Sequence, residues 1–344
     1  MPHTLSSEAA AAAAETAALF RARALAARDD ARFKGSMAWA TAKGRNYLVR
    51  AFYDPDTGRR RQVSLGLRTP ETEALLAAWD LDRAAAAARL AETEAAEKTV
   101  AAGNRTLGLA RVPLLAAKVL RGLDRAGWFD AGLRLAGPAA VLAYEAESGL
   151  RLAPGDFDPV AALRHGLRLM SATPIPPRRL HDALARIDHG FRPARPEGGR
   201  RGARARLEPI PAAIGPDGFR VEWIAPDAPP ERPARARRTA LPPIDLDADI
   251  VLERLPWYAG AAMREGVAVD ARGAPLRLVA IDPRVFAAAD LWLAGDLFRA
   301  PAARAADRAR AEAVIALTLR DTRPPRPRSL PREVARAAAH LFSR

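Results

Sequence analysis

The spacing of apolar and polar positions predicts alternating helical and extended segments along the chain. Residues 7–30 are rich in alanine and carry charges at helical spacing, which predicts one or two exposed helices. Residues 45–53 and 61–65 alternate as strands on either side of a turn, which predicts a β-hairpin. Pro70 at a first helical position, followed by glutamates, then predicts a long helix to about residue 100.

The middle of the chain begins an α/β unit. An apolar strand over residues 133–136 is followed by Gly137 and by a helix over residues 139–147, an order that is typical of α/β folds. Another strand is predicted over residues 219–224 and another hairpin over residues 267–280. The remaining predicted elements are helices over residues 115–126, 285–297 and 302–319 and a short helix from residue 331. The expected fold class is therefore α/β (α+β).

Composition divides the chain into five expected segments. The least periodic stretches are the basic residues 193–206, expected to form a mobile loop, and the Pro/Arg-rich residues 226–243, expected to form a connector. The segments are a helical N-terminal extension over residues 1–30, a β-hairpin and long helix over 31–110, an α/β core over 111–225, a C-terminal hairpin and helical region over 226–323, and a tail over 324–344.

Charge and composition restrict the partners and the location. The net charge of +14 favours phosphate-rich partners because a positive field concentrates polyanions, although solvated basic stretches explain it equally well. The absence of cysteine excludes disulfides and thiolate metal sites. No apolar run approaches the ~20 residues of a membrane-spanning helix, and the N-terminus lacks a secretory pattern. We therefore expect no membrane partner and a cytoplasmic location.

The best candidate metal site in the sequence is the acidic segment at residues 155–158. If this segment is a strand, Asp156 and Asp158 face the same side and bring hard oxygen ligands to one Mg²⁺ ion or a pair. The alternative is a surface turn, which the flanking Pro154 and Pro159 favour.

A second candidate is a basic group in the predicted hairpin region. Lys34, Lys43 and Arg45 lie near Tyr47, and basic groups interleaved with aromatic rings suit the phosphate backbone of single-stranded nucleic acid. A solvated hairpin face explains these residues equally well. The Arg-rich residues 192–206 are a further candidate for nonspecific phosphate contacts.

The order of several segments resembles a bacterial family with a nucleotidyltransferase-like domain. The resemblance covers about residues 33–318. The segments that carry it are FKGSMAW (33–39), KGRNYL (43–48), SLGLRTPETE (64–73), GPAAVLAYE (137–145), GDFD (155–158), IDHGF (187–191), GFRVE (218–222), DPRVF (282–286) and LWL (291–293), with Asp307 farther on.

This resemblance implies a polymerase-β-like nucleotidyltransferase fold with a catalytic site for a nucleoside triphosphate (NTP). In such a fold a mixed sheet carries an Asp-x-Asp pair and a third carboxylate on a neighbouring strand. The resemblance assigns these catalytic and metal-binding roles to Asp156, Asp158 and Glu222, and it places Gly137 at the turn that holds the nucleotide phosphate. The implied activity is Mg²⁺-dependent transfer of a nucleotidyl group from an NTP to an unknown acceptor.

The register of the aspartate pair has a competing solution. The pair can instead be matched to Gly166 and Arg168, which leaves no metal site. The register at residues 155–158 is preferred because Arg164 and Leu167 then also fall into the family pattern.

Five positions depart from the family pattern. Pro138 replaces a small hydroxyl residue and offers neither an amide hydrogen nor a hydroxyl to a phosphate. Ala162 and Glu222 each replace Asp, and Ala289 and Asp290 replace His and Lys. These changes indicate a divergent site with weakened or lost activity. They leave two alternatives open, an inactive nucleotide- or nucleic-acid-binding module and an interaction scaffold.

Overall fold

The computed structural model describes residues 2–54, 58–153, 158–173, 175–194, 211–224, 256–297, 299–318 and 330–339. The chain forms two compact units, one of Met1–Ala13 with Asn104–Arg344 and the other of Ala14–Gly103. The expected connector and most of the expected basic loop lie outside the described residues. The expected boundaries near residues 225 and 323 lie outside them too and stay predictions.

The strands are β1 (Pro2–Thr4), β2 (Ser36–Ala42), β3 (Arg45–Tyr53), β4 (Arg60–Leu67), β5 (Ala110–Val112), β6 (Leu133–Leu135), β7 (Leu150–Leu152), β8 (Gly166–Ser171), β9 (Arg192–Pro193), β10 (Ala212–Ile214), β11 (Arg220–Ile224), β12 (Met263–Asp270) and β13 (Pro275–Ile281). The α-helices are α1 (Ser7–Ala31), α2 (Pro70–Thr106), α3 (Leu114–Arg125), α4 (Val141–Ser148), α5 (Pro159–His165), α6 (Pro177–Ile187), α7 (Pro256–Ala259), α8 (Pro283–Ala294), α9 (Pro301–Thr318) and α10 (Arg332–Ala337). Within the described part of the chain, no helix has the length and apolar character needed to cross a membrane.

The smaller unit contains a three-stranded antiparallel sheet in the order β2-β3-β4. Leu48 on β3 is fully buried, and the guanidinium of Arg50 lies 4.9 Å from the ring of Trp79 on α2. Arg50 also donates to the backbone oxygen of Arg32 at 2.8 Å, just beyond the end of α1. Helix α2 therefore covers the sheet face that carries Leu48 and Arg50. The predicted hairpin and long helix are confirmed, whereas β2 was not predicted.

The larger unit contains a five-stranded mixed sheet in the order β6-β8-β11-β10-β9. Strands β8 and β11 pair in parallel, and every other pair in this sheet is antiparallel. A second sheet in the order β13-β12-β5 includes the hairpin that was predicted over residues 267–280. The predicted α+β architecture is confirmed.

Helix α4 packs closely on the β12–β13 hairpin. A Cβ atom at Gly266 of β12 would lie 2.6 Å from the backbone oxygen of Ala143, so this approach of helix and strand requires glycine. The hydroxyl of Tyr144 donates to the backbone oxygen of Ile281 at 2.9 Å, and burial raises the pKa of Tyr144 well above its usual value. The phenol thus stays protonated as a donor. These contacts fix α4 and the turn at Gly137 that precedes it.

Buried charges join helices α8 and α9. Arg310 donates to both carboxylate oxygens of Asp290, at 2.7 and 2.8 Å, and to Asp307 at 3.2 Å. Asp290 is 1% exposed and the neighbouring Ala289 is fully buried. Asp290 stands where the family pattern has Lys, and its carboxylate is the buried partner of Arg310 between two helices.

Removal of Arg310 tests this packing. Arg310→Ala leaves the carboxylate of Asp290 buried without its partner, so we expect the free energy of unfolding to fall by about 3–5 kcal/mol. Arg308→Ala, an exposed arginine on the same helix, is the matched control and is expected to change it by less than about 0.5 kcal/mol. Urea denaturation monitored by circular dichroism measures both. Equal stability of the two variants would contradict this account.

Candidate functional site

A cleft of about 240 Å³ lies where the turn at Gly137 meets the parallel strands β8 and β11. We call it the Gly137 cleft. Its lining residues are Ala136, Pro138, Ala139, His165, Gly166, Leu167, Arg168, Arg220 and Glu222.

The turn at Gly137 is held against the sheet by its backbone. Gly137 has φ +60°, a left-handed conformation that favours glycine, and it begins a 3₁₀ turn over Gly137–Ala140 that leads into α4. The backbone N–H of Ala136 donates to the backbone oxygen of Arg168 at 2.9 Å, which ties the turn to β8. Pro138 lines the cleft and has no N–H to offer a ligand.

The parallel register brings charged side chains to one face of the sheet. Gly166 pairs with Arg220, and Arg168 pairs with Glu222. Residues two apart on a strand face the same side, so the side chains of Arg168, Arg220 and Glu222 share the face that borders the cleft.

Glu222 is held by the two arginines. Its Oε1 accepts from Nε of Arg220 at 2.7 Å, and its Oε2 accepts from Nε of Arg168 at 3.3 Å. Both carboxylate oxygens are engaged by guanidinium groups, and the three side chains together carry one excess positive charge. The metal-ligand role of Glu222 stays a prediction; in the structure its carboxylate is the counter-ion of two cations.

Gly166 leaves no room for a side chain next to Glu222. A Cβ atom at this position would lie 2.2 Å from the backbone oxygen of Arg220. Any other residue would have to push β8 and β11 apart. Strand β8 therefore offers no carboxylate at its two positions that face the cleft, Gly166 and Arg168.

The structure places Asp158 outside this sheet. Asp158 is the N-cap of α5, and its Oδ1 accepts from the backbone N–H of Val160 at 2.9 Å. It borders a different cavity, of about 150 Å³, with Arg111 and Arg164. Of the two alternatives for this segment, a strand and a surface turn, the strand was wrong for Asp158, because this residue caps a helix in which Ala162 also lies.

Of the three predicted metal-binding carboxylates, Asp156 lies outside the described residues. Among the residues that the structure does describe, no three His, Cys, Asp or Glu side chains are grouped so that they could hold a metal ion. A Mg²⁺ site formed by Asp156, Asp158 and Glu222 stays a prediction. The Gly137 cleft itself does not fit Mg²⁺, which prefers several oxygen ligands, because its one carboxylate is already bound by Arg168 and Arg220.

Sequence reasoning missed the role of Arg168 and Arg220 in the cleft. Period-two alternation over Gly166–Ser171 was the available signal, since it places Arg168 on a strand. His181, by contrast, lies edge-on to the ring of Trp223 at 4.8 Å, with its Nε2 3.1 Å from the backbone oxygen of Ala212. That histidine supports the sheet and does not line the cleft.

Comparison with protein-family models matches residues 115–333 to a family described as Nucleotidyltransferase. This range includes the Gly137 turn, β8 and β11. Neither the curated proteins nor the solved structures yield a match.

The capping role of Asp158 is testable. Asp158→Ala removes the acceptor for the N–H of Val160, so we expect the free energy of unfolding to fall by about 1 kcal/mol. Asp158→Asn keeps a capping oxygen and is expected to retain nearly wild-type stability, as measured by urea denaturation. A loss with Asn as large as the loss with Ala would show that the negative charge, and not the cap, is what the fold requires.

Proposed function

Because the chain belongs to the nucleotidyltransferase family, we propose that it binds a nucleotide through its phosphates in the Gly137 cleft, without metal-dependent transfer at that cleft. One observation carries this proposal. The strand that pairs with β11 beside the turn presents Gly166 and Arg168 toward the cleft where a nucleotidyltransferase would need carboxylates. This observation supports the competing register, in which the aspartate pair of the family pattern corresponds to Gly166 and Arg168.

The electrostatics of the cleft suit an anion. Arg168 and Arg220 present planar guanidinium groups, which bind phosphate oxygens through paired hydrogen bonds. A volume of about 240 Å³ is below the ~300–1,000 Å³ of typical small-molecule sites, so the cleft accommodates the phosphate end of a nucleotide.

Glu222 has the position of an internal counter-ion in this proposal. It occupies the hydrogen-bonding groups of Arg168 and Arg220 when no phosphate is bound. The phosphate chain of a nucleoside triphosphate carries several negative charges and competes with Glu222 for the same donors. Removing the charge of Glu222 is therefore expected to strengthen phosphate binding, the opposite of what a metal-ligand role requires.

The second candidate function is Mg²⁺-dependent nucleotidyl transfer from an NTP to an unidentified acceptor. The family match favours it, as does the cavity that Asp158 shares with Arg111 and Arg164. In this candidate Asp156 and Asp158 would hold the metal, and the metal would neutralise charge on the leaving pyrophosphate. The arginines of the Gly137 cleft have no catalytic role in it.

Titration calorimetry with ATP, in EDTA and in MgCl₂, separates the two candidates. The proposal predicts binding in EDTA, weakened at least about tenfold in Arg168→Ala because a charge-assisted contact is lost. Glu222→Gln is expected to bind ATP as tightly as the wild type or more tightly. Arg178→Ala, an exposed arginine on α6, is the control and is expected to bind like the wild type.

A different pattern would overturn the proposal. Binding that requires Mg²⁺ and is lost in Glu222→Gln would contradict it. Pyrophosphate release with Mg²⁺ that is lost in Asp156→Ala together with Asp158→Ala would establish the second candidate.

A further inference from the structure

The sheet of the smaller unit has a second face, opposite the one that α2 covers. Residues of β2, β3 and β4 form cross-strand rows on this outer face, such as Ala38, Val49 and Ser64 in one row. Ser64 and Ala38 are exposed, and Val49 is half-buried. We call this surface the outer sheet face.

Polar and aromatic side chains occupy the centre of the outer sheet face. Gln62 and Ser64 on β4 are exposed, and Tyr47 on β3 is half-buried one row farther along. The neighbouring β2 positions are the small residues Ala38 and Ala40, which leave the backbone accessible. This face combines hydrogen-bonding groups with small side chains, whereas a face that packs in a protein core carries mostly large apolar side chains.

Cations flank this centre at both ends. Arg45 begins β3 beside the turn at Lys43, and Arg60 begins β4 opposite Tyr53 at the other end of the sheet. Lys43, Arg45 and Arg60 are exposed. Residues 34–68 as a whole contain eight Lys or Arg and two Asp, a net charge of +6, of which Arg45 and Arg60 place two positive charges on the outer sheet face. The outer sheet face thus matches a polyanion.

We propose that the outer sheet face binds double-stranded DNA in the major groove. Three strands at ~4.8 Å spacing span about 10 Å between the outer two, which matches a groove about 12 Å wide. In that position Arg45 and Arg60 contact phosphates on the groove edges, while Gln62 and Ser64 reach base edges. Gln reads adenine through two hydrogen bonds, and Ser accepts or donates to any base.

The same geometry disfavours the other nucleic acids. The major groove of A-form RNA is deep and narrow and does not admit a sheet. Single strands are bound by stacking of successive bases on exposed aromatic rings, whereas on this face the central Tyr47 is half-buried and the exposed Tyr53 lies six residues away at the edge. DNA duplex is therefore the expected ligand, and RNA duplex and single-stranded DNA are comparison ligands in the test.

Fluorescence anisotropy with the full-length protein tests this inference. The probes are a mixed-sequence DNA duplex, the matching RNA duplex and the single DNA strand, over about 50–200 mM salt. The wild type is expected to bind the DNA duplex most tightly. Arg45→Ala with Arg60→Ala is expected to reduce the slope of log affinity against log salt by about 2, because each lost phosphate contact removes ~0.9.

The matched control is Arg83→Ala with Arg89→Ala, two exposed arginines on α2 that remove the same charge elsewhere in the smaller unit. The control is expected to keep the wild-type slope, and circular dichroism verifies that both variants fold. Equal slopes for the two double variants would overturn the inference. They would mean that DNA binding depends on the total charge of the chain and not on contacts with this face. Equal or tighter binding of RNA duplex or single strand would overturn it as well. ATP binding is expected to be unchanged in both variants.

Discussion

The parallel pairing of β8 with β11 is the constraint on which the candidate site depends. It sets Gly166 against Arg220 so closely that only hydrogen fits, and it sets Arg168 directly beside Glu222. Because parallel strands keep paired side chains on one side, this register alone gathers two guanidinium groups around one carboxylate. The proposed chemistry of the cleft, binding of an anion and not of a metal, rests on the identity of these residues.

The cleft also depends on the position of the turn at Gly137, which must remain next to β8 and β11. Helix α4 lies against Gly266, and the hydroxyl of Tyr144 bonds to the backbone of β13, so the helix cannot slide away from the sheet. The backbone of Ala136 then bonds to β8. A preformed cleft of this kind binds phosphate without the entropic cost of ordering a loop.

The sequence predicted most of the fold because its helices and longer strands have clear periodicity. The hairpins around β3–β4 and β12–β13, the long α2 and the strand–glycine–helix order at Gly137 are all confirmed. The candidate site was harder, since the short strand β8 directly follows the short helix α5, with only Gly166 between the two patterns. Strand β8 forms by pairing with β11, which lies about fifty residues farther along the chain. Tertiary packing determines this pairing, and no local sequence pattern reports it. The role of Asp158 was hard to predict for a related reason. A single sequence does not distinguish an aspartate that caps a helix from one that binds a metal.

The most direct test of the central claim is a crystal structure of the full chain with a nonhydrolysable ATP analogue and Mn²⁺, whose anomalous scattering locates the metal. The account predicts phosphate oxygens within hydrogen-bonding distance of the Arg168 and Arg220 guanidinium groups and no Mn²⁺ on the carboxylate of Glu222. A Mn²⁺ ion that bridges Glu222 and the phosphates, with both arginines turned away, would contradict it.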